Sequence, residues 1–212
     1  QQRNAALLSS FNLAMGGTIT GFLVYALSQG WQTPLYFDID KYGWPYAIGS
    51  GVFMFVLNDA GAYYVHRFLH RKWVYKNIHR HHHSWVATSP YVTSAVHPLE
   101  LLLLQGNTFL PLFIIPFHYG VVIVVLIYIL VFNIVDHSGV RLTSAMPWQG
   151  PSMYHDDHHA YFHCNFGQHL MIWDKMHGTL RHKKRKYGVK VFGGKGQIDA
   201  TETAEQDEFF PY

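Results

Sequence analysis

The run Val121-Val122-Ile123-Val124-Val125-Leu126-Ile127-Tyr128-Ile129-Leu130-Val131-Phe132-Asn133-Ile134-Val135 holds one strongly polar side chain, Asn133. A helix that is apolar all round belongs in a large core or in a membrane. Just before it, Pro116-Phe117-His118-Tyr119-Gly120 reads as a tight turn. Before that turn, 99–117 opens with Glu100 and the run Leu101-Leu102-Leu103-Leu104. Two more apolar stretches lie upstream: 7–27, without a charge, and 44–65, with only Asp59. A bilayer crossing takes about 20 mostly apolar residues. The expected fold is therefore an all-α integral membrane protein with four transmembrane helices, at about 7–27, 44–65, 99–117 and 121–135, arranged as two hairpins.

Composition agrees. Of the 212 residues, 49% are hydrophobic and 14% charged, against about 25% charged in a soluble domain, which excludes intrinsic disorder. The one cysteine, Cys164, excludes an intrachain disulfide framework. Of 16 Lys and Arg, five lie from Arg67 to Arg80 and nine from Arg141 onward. The positive-inside rule puts both segments on the cytoplasmic side. A single membrane-embedded domain is expected over 1–188, with a cytoplasmic helical cap from 66–98 and 137–188 and a loosely ordered tail at 189–212. No secretory signal pattern is read. The chain begins at Gln1 rather than Met, so a preceding segment is expected.

Histidine occurs 16 times, more than Asp and Glu together at 13. His66 and His70 lie four apart; His79, His82 and His83 form an HxxHH pattern, and His155, His158 and His159 repeat it. Residues three and four apart share a helix face, so each cluster is expected to aim its imidazoles at one point. Neutral imidazole is a common ligand of mid-row metals. Eight such ligands, with His137 as a ninth, suit two ions and fill a cap with a dimetal site. His97 and Asn133 are candidates for a tenth ligand or for a supporting contact. Ligand imidazoles need oriented partners, and the nearby carboxylates are Asp59, Glu100, Asp136, Asp156 and Asp157. Asp59 is favoured, because an acid inside a span is costly. His81, His118, His169, His177 and His182 read as bystanders, and His163 is ambiguous. Iron and zinc both fit the donor set. The basic run Arg181, Lys183, Lys184, Arg185 and Lys186 is a candidate for docking an acidic partner or anionic lipid. No dinucleotide fingerprint is present, since Gly193-Gly194-Lys195-Gly196 lacks a flanking strand and helix.

These residues resemble the sterol desaturase and fatty acid hydroxylase superfamily of membrane histidine-box enzymes. The likeness rests on His66-x3-His70, His79-x2-His82-His83 and His155-x2-His158-His159. Their flanks agree: Asp59-x3-Tyr63-Tyr64-x-His66-Arg67, Val96-His97-Pro98-Leu99-Glu100, Asn133-x2-Asp136-His137-Ser138-Gly139, and Asn165-Phe166-Gly167 through Trp173-Asp174-Lys175 to Gly178-Thr179. The closing stretch looks most like the sterol C5-desaturase and sterol hydroxylase branches. The resemblance implies two irons and O2, with no nucleotide or haem bound in this chain. It implies hydroxylation or desaturation of an unactivated C–H position of a membrane lipid of sterol, sphingoid, fatty acyl or terpenoid type. Electrons would come from an external donor of cytochrome b5 or ferredoxin type with its reductase. The location would be the endoplasmic reticulum in a eukaryote or the inner membrane in a bacterium. Nucleic acid is not an expected partner. The alternatives are a histidine-rich metal transporter, a haem-binding electron carrier and a non-catalytic metal-binding membrane protein. A transporter would spread its histidines along a path through the membrane.

Overall fold

A computed structural model describes residues 2–143, 146, 148–198 and 208–212. Among these residues there are helices and isolated β-bridges, and no β-strand. The α-helices are α1 (Gln2–Ser28), α2 (Gly43–Leu69), α3 (Lys72–Asn77), α4 (Pro98–Phe109), α5 (Tyr119–Asp136), α6 (Ser152–Tyr161) and α7 (Ile172–His177).

Four helical passes run between two ends of the molecule. At one end, α1 meets the loop that precedes α4: Asn12 Nδ2 donates to the carbonyls of Ser94 and Val96, both at 2.7 Å, and Ser9 donates to Tyr91. At the other end, Thr33 donates to the Leu112 carbonyl at 2.6 Å, and Tyr36 exchanges backbone bonds with Phe117 and Tyr119. The α1–α2 and α4–α5 connections thus share one end, and the histidine-bearing segments share the other. A small core of Met54, Leu112, Phe117, Val122 and Val125 seals the end away from the histidines.

Two helices, Gln2–Ser28 and Tyr119–Asp136, are long and apolar enough to cross a membrane. Most of their side chains point outward, Phe11, Phe22, Val124 and Ile127 among them, so they are not core helices of a soluble protein. The second expected span is α2, which continues past residue 65 and carries His66 on its last turn. The third differs from expectation. In place of one span over 99–117 there is the 12-residue α4 followed by a 3-10 turn, Leu110–Phe113. Pro111 supplies no N–H and its ring crowds the carbonyl four residues back, so the α-helix cannot run through it.

Helix α2 is central and packs on both α4 and α5. Gly61 lets α4 come close: a Cβ there would sit 1.8 Å from Asn107 Oδ1. Asn107 donates to the Asn58 carbonyl at 3.0 Å, and Asn58 donates to Thr108 at 3.1 Å. These interhelical amide bonds fix the height of α4 against α2, and with it the height of Glu100 against His79.

Candidate metal centre

The nine histidines expected as ligands are all buried and fall into two groups. His66, His70, His79, His83 and His158 form one, and His82, His137, His155 and His159 the other. Within each group the candidate ligand atoms lie within 4.8 Å of one another. Neither HxxHH cluster aims at one point, as the spacing had suggested; each divides. His79 and His83 go to the first group and His82 crosses to the second, while His155 and His159 go to the second and His158 crosses to the first. On α6 the reason is local. At 3.6 residues per turn, positions i and i+4 lie about 40° apart, whereas i+3 and i+4 lie about 100° apart.

Burial pushes the imidazoles of His82, His83, His155, His158 and His159 well below their ordinary pKa, and neighbouring imidazoles push the same way. They are held neutral, the form that binds metal. Hydrogen bonds fix several tautomers. His66 Nδ1 donates to the Phe166 carbonyl at 2.9 Å, His158 Nδ1 to the Cys164 carbonyl at 2.7 Å, and His137 Nδ1 to the Asn133 carbonyl at 2.7 Å. His79 Nδ1 donates to Glu100 Oε1 at 2.8 Å. In each of these rings the Nε2 lone pair is left bare.

The bare atoms face one another. His66 Nε2 and His79 Nε2 lie 3.2 Å apart, though each ring already uses its proton at Nδ1. Two lone pairs at that distance repel, and a cation between them removes the repulsion. In the second group, His137 Nε2 lies 3.0 Å from His155 Nε2 and 3.4 Å from His82 Nε2. Among the described residues neither buried ring nitrogen of His159 has a hydrogen-bond partner. Converging neutral imidazoles with nothing else to bind fit a pair of metal ions of the iron or zinc kind.

The expected supporting residues separate sharply. Glu100 meets His79 Nδ1 through Oε1. Asn133 acts through its backbone carbonyl; its side-chain Oδ1 is buried without a partner. His97 lies in neither group: it caps α4, where Nδ1 accepts from the Leu99 N–H at 3.2 Å. Asp59 touches no ligand imidazole. It accepts the His169 N–H at 2.9 Å, the Leu170 N–H at 3.2 Å and Trp173 Nε1–H at 2.7 Å, fastening the 169–173 segment to α2. Asp156 accepts from Thr88 at 2.8 Å, and Asp157 accepts from Arg181 and Tyr212, both at 2.7 Å. Asp136 is buried, and no ring nitrogen donates to it among the described residues.

The basic run is engaged within the chain. Arg181 pairs with Asp157 and stacks between Tyr161 and Phe210. Lys183 pairs with Glu208, and Arg185 donates to the Lys195 carbonyl. His81 is exposed, and His118 donates to the Phe37 carbonyl at the far end. His169 is buried with neither nitrogen partnered; burial takes its pKa down to about 4.

Sequence reasoning did not single out Asp174 as a site residue. It is buried and accepts from Tyr154, the Phe166 and Gly167 N–H groups at 2.9 and 2.6 Å, and Thr179 at 2.5 Å. It thereby shapes the 164–167 loop, whose carbonyls orient His66 and His158. Gly167 belongs to that design, since a Cβ there would lie 2.7 Å from Tyr154 Oη and 2.8 Å from the Leu170 carbonyl. The signal available was the closing motif Trp173-Asp174-Lys175 itself, which carried the resemblance without assigning the acid a role.

The chain matches the fatty acid hydroxylase family over residues 51–179, which contain every histidine of both groups. The chain belongs to that family. Mouse lathosterol oxidase is 32% identical over 177 residues, covering 82% of this chain and 57% of that protein. Human lathosterol oxidase is 32% identical, covering 66% and 46%. A Delta(7)-sterol 5(6)-desaturase of Schizosaccharomyces pombe is 30% identical, covering 69% and 49%. This member of the fatty acid hydroxylase family thus spans about half the length of the curated relatives it matches. No solved structure gives a significant match.

Proposed function

We propose that this chain is an O2-dependent di-iron oxidoreductase that hydroxylates or desaturates an unactivated C–H position of a membrane lipid, most closely of sterol type. The observation that carries the reading is the division of nine buried histidines into two groups with lone pairs facing inward. The names of the relatives, lathosterol oxidase and sterol desaturase, support the lipid class. The four helical passes are read as bilayer crossings, with 66–98 and 137–188 forming a cytoplasmic cap on a single domain of residues 1–188. The protein would sit in the endoplasmic reticulum or the bacterial inner membrane and take electrons from a separate cytochrome b5 or ferredoxin-type donor.

An iron pair, when bound there, would supply the O2 activation and hydrogen abstraction. The chain's own residues do the rest. His66, His70, His79, His83 and His158 would hold one ion, and His82, His137, His155 and His159 the other. Glu100 and the carbonyls of Asn133, Cys164 and Phe166 keep the Nδ1 protons in place, so Nε2 stays available. Burial excludes water from the rings. An apolar groove of about 760 Å³ between α2 and α5, lined by Trp44, Ile48, Phe55, Val124 and Tyr128, opens outward along the passes. Its volume lies in the range of small-molecule sites. We assign the lipid substrate to it.

The test is metal analysis of detergent-purified protein with Mössbauer spectroscopy on iron-57-grown material, followed by turnover of sterols with a reductase system. Two coupled irons per chain and an oxidised sterol are expected, with His118→Ala leaving the metal content unchanged, since His118 lines the groove at the end away from the two histidine groups. Folded protein with no metal would sink the proposal. A transporter reading gains nothing from the structure, because all nine candidate ligands lie at one end of the helical passes.

A further inference from the structure

We infer that His163, which lies outside both histidine groups, is a positioning residue that fixes the tautomer of His70 and makes it a ligand; this rests on the metal-centre reading above. His163 is fully buried. Its Nε2 lies 3.0 Å from the Val189 carbonyl, and its Nδ1 lies 2.9 Å from His70 Nδ1. A carbonyl oxygen only accepts, so His163 Nε2 carries the hydrogen. In a neutral imidazole the other nitrogen is then an acceptor. His70 must therefore place its own hydrogen on Nδ1 and donate it to His163. The Nε2 of His70 is left bare, and it points toward His83 Nε2 at 3.3 Å, inside the five-histidine group.

The relay has a fixed polarity because it ends on backbone. The anchor is held by the turn in which Val191 N–H donates to the Gly188 carbonyl at 2.9 Å. Phe192 stacks on the His163 ring at 4.1 Å between centroids, and Tyr75 covers another side at 4.8 Å. Segment 188–192, which leads into the stretch 189–212 that the sequence marks as tail, thus reaches the metal group through one imidazole. His70 needs this help: it sits just past the end of α2, and no carbonyl or carboxylate meets its Nδ1 among the described residues.

The experiment compares three full-length proteins in detergent: wild type, His163→Leu and His163→Asn. Leu fills space but cannot accept a hydrogen bond; the Asn Oδ1 can take the place of Nδ1. Cobalt(II) is the probe, titrated into metal-free protein and followed by its visible absorption. Wild type should bind two ions. In His163→Leu, one of the two sites should weaken about ten- to a hundredfold, the range typical for loss of a ligand's orienting partner, while the other keeps its affinity. His163→Asn should recover most of the loss. Independently, nitrogen-15 NMR of metal-free wild type labelled at histidine should find the His70 hydrogen on Nδ1.

A His163→Leu protein that titrates like wild type overturns the inference. So does a His163→Asn protein as weak as the Leu variant, since packing rather than acceptance would then be what matters. A His70 hydrogen on Nε2 overturns it as well, whether or not either variant folds. Wild type that binds no cobalt at all overturns the metal-centre reading itself, and is distinguishable from every failure of the relay.

Discussion

In the five-histidine group, four rings have their Nδ1 in a hydrogen bond: His66 to Phe166, His79 to Glu100, His158 to Cys164 and His70 to His163. In the four-histidine group, among the described residues, only His137 does, to the Asn133 carbonyl. Among the described residues the Nδ1 atoms of His82, His155 and His159 have no hydrogen-bond partner, although the Ala95 backbone lies close to the His82 ring. The two groups are equally buried and equally histidine-rich, so ligand type does not distinguish them. What differs is preparation. The first group has its lone pairs already aimed inward, and the second leaves more of its ring orientation to the ion. Outer partners of this kind commonly change metal affinity ten- to a hundredfold.

The largest expected effect comes from removing the crossing histidines. His158→Ala and His82→Ala should each abolish activity and bring metal below two per chain. Elemental analysis should show the His82 variant keeping the ion of the five-histidine group and the His158 variant losing it. Equal residual metal in both, at the same site by Mössbauer spectroscopy, would break the distinction between the groups.

A smaller effect is expected on stepwise chelation of the loaded protein. The first ion should leave the four-histidine group, and the second should need about ten- to a hundredfold more chelator, or about 1.4–2.7 kcal/mol. Simultaneous loss would mean that preparation of the rings does not set affinity.

Smallest is Glu100→Gln. The amide oxygen can still accept from His79 Nδ1, but without the carboxylate charge that strengthens the bond and the imidazole's basicity. The affinity of the five-histidine group should fall by a few-fold to tenfold, narrowing the gap seen on chelation. An unchanged gap in the same titration would show that charge at Glu100 is not part of the preparation.

Much of the molecule was legible along the chain. The helices over 2–28, 43–69 and 119–136 follow from long, mostly apolar runs, and the ligand candidates follow from the i, i+4 histidine spacing repeated three times. The break in the third pass falls at Pro111, which the reading of 99–117 as one span did not take into account. Asp59 shows where reading along the chain stops. An acid in a span is costly, which correctly marks it as employed, but the cost does not say by whom. Its partners, the N–H groups of His169 and Leu170 and the Trp173 indole, lie 110 residues or more away. The same holds for Arg181, whose basic neighbours suggest a docking patch and whose guanidinium is enclosed by Asp157, Tyr161 and Phe210.

By itself the sequence determined that eight histidines stand in three ordered boxes, with His137 as a ninth just past an apolar run, because periodicity and hydropathy are local properties. Only the tertiary structure decided how those nine divide. In the 3-10 segment His79–Ser84, local geometry eclipses His79 with His82, yet His79 joins His83 and His82 crosses over. Which imidazoles meet depends on where α2, α6 and the end of α5 deliver their own. Which nitrogen each presents depends on carbonyls at 133, 164 and 166, on Glu100, and on His163 with the Val189 carbonyl behind it. A backbone carbonyl has no residue identity, so no pattern of side chains along the chain announces it.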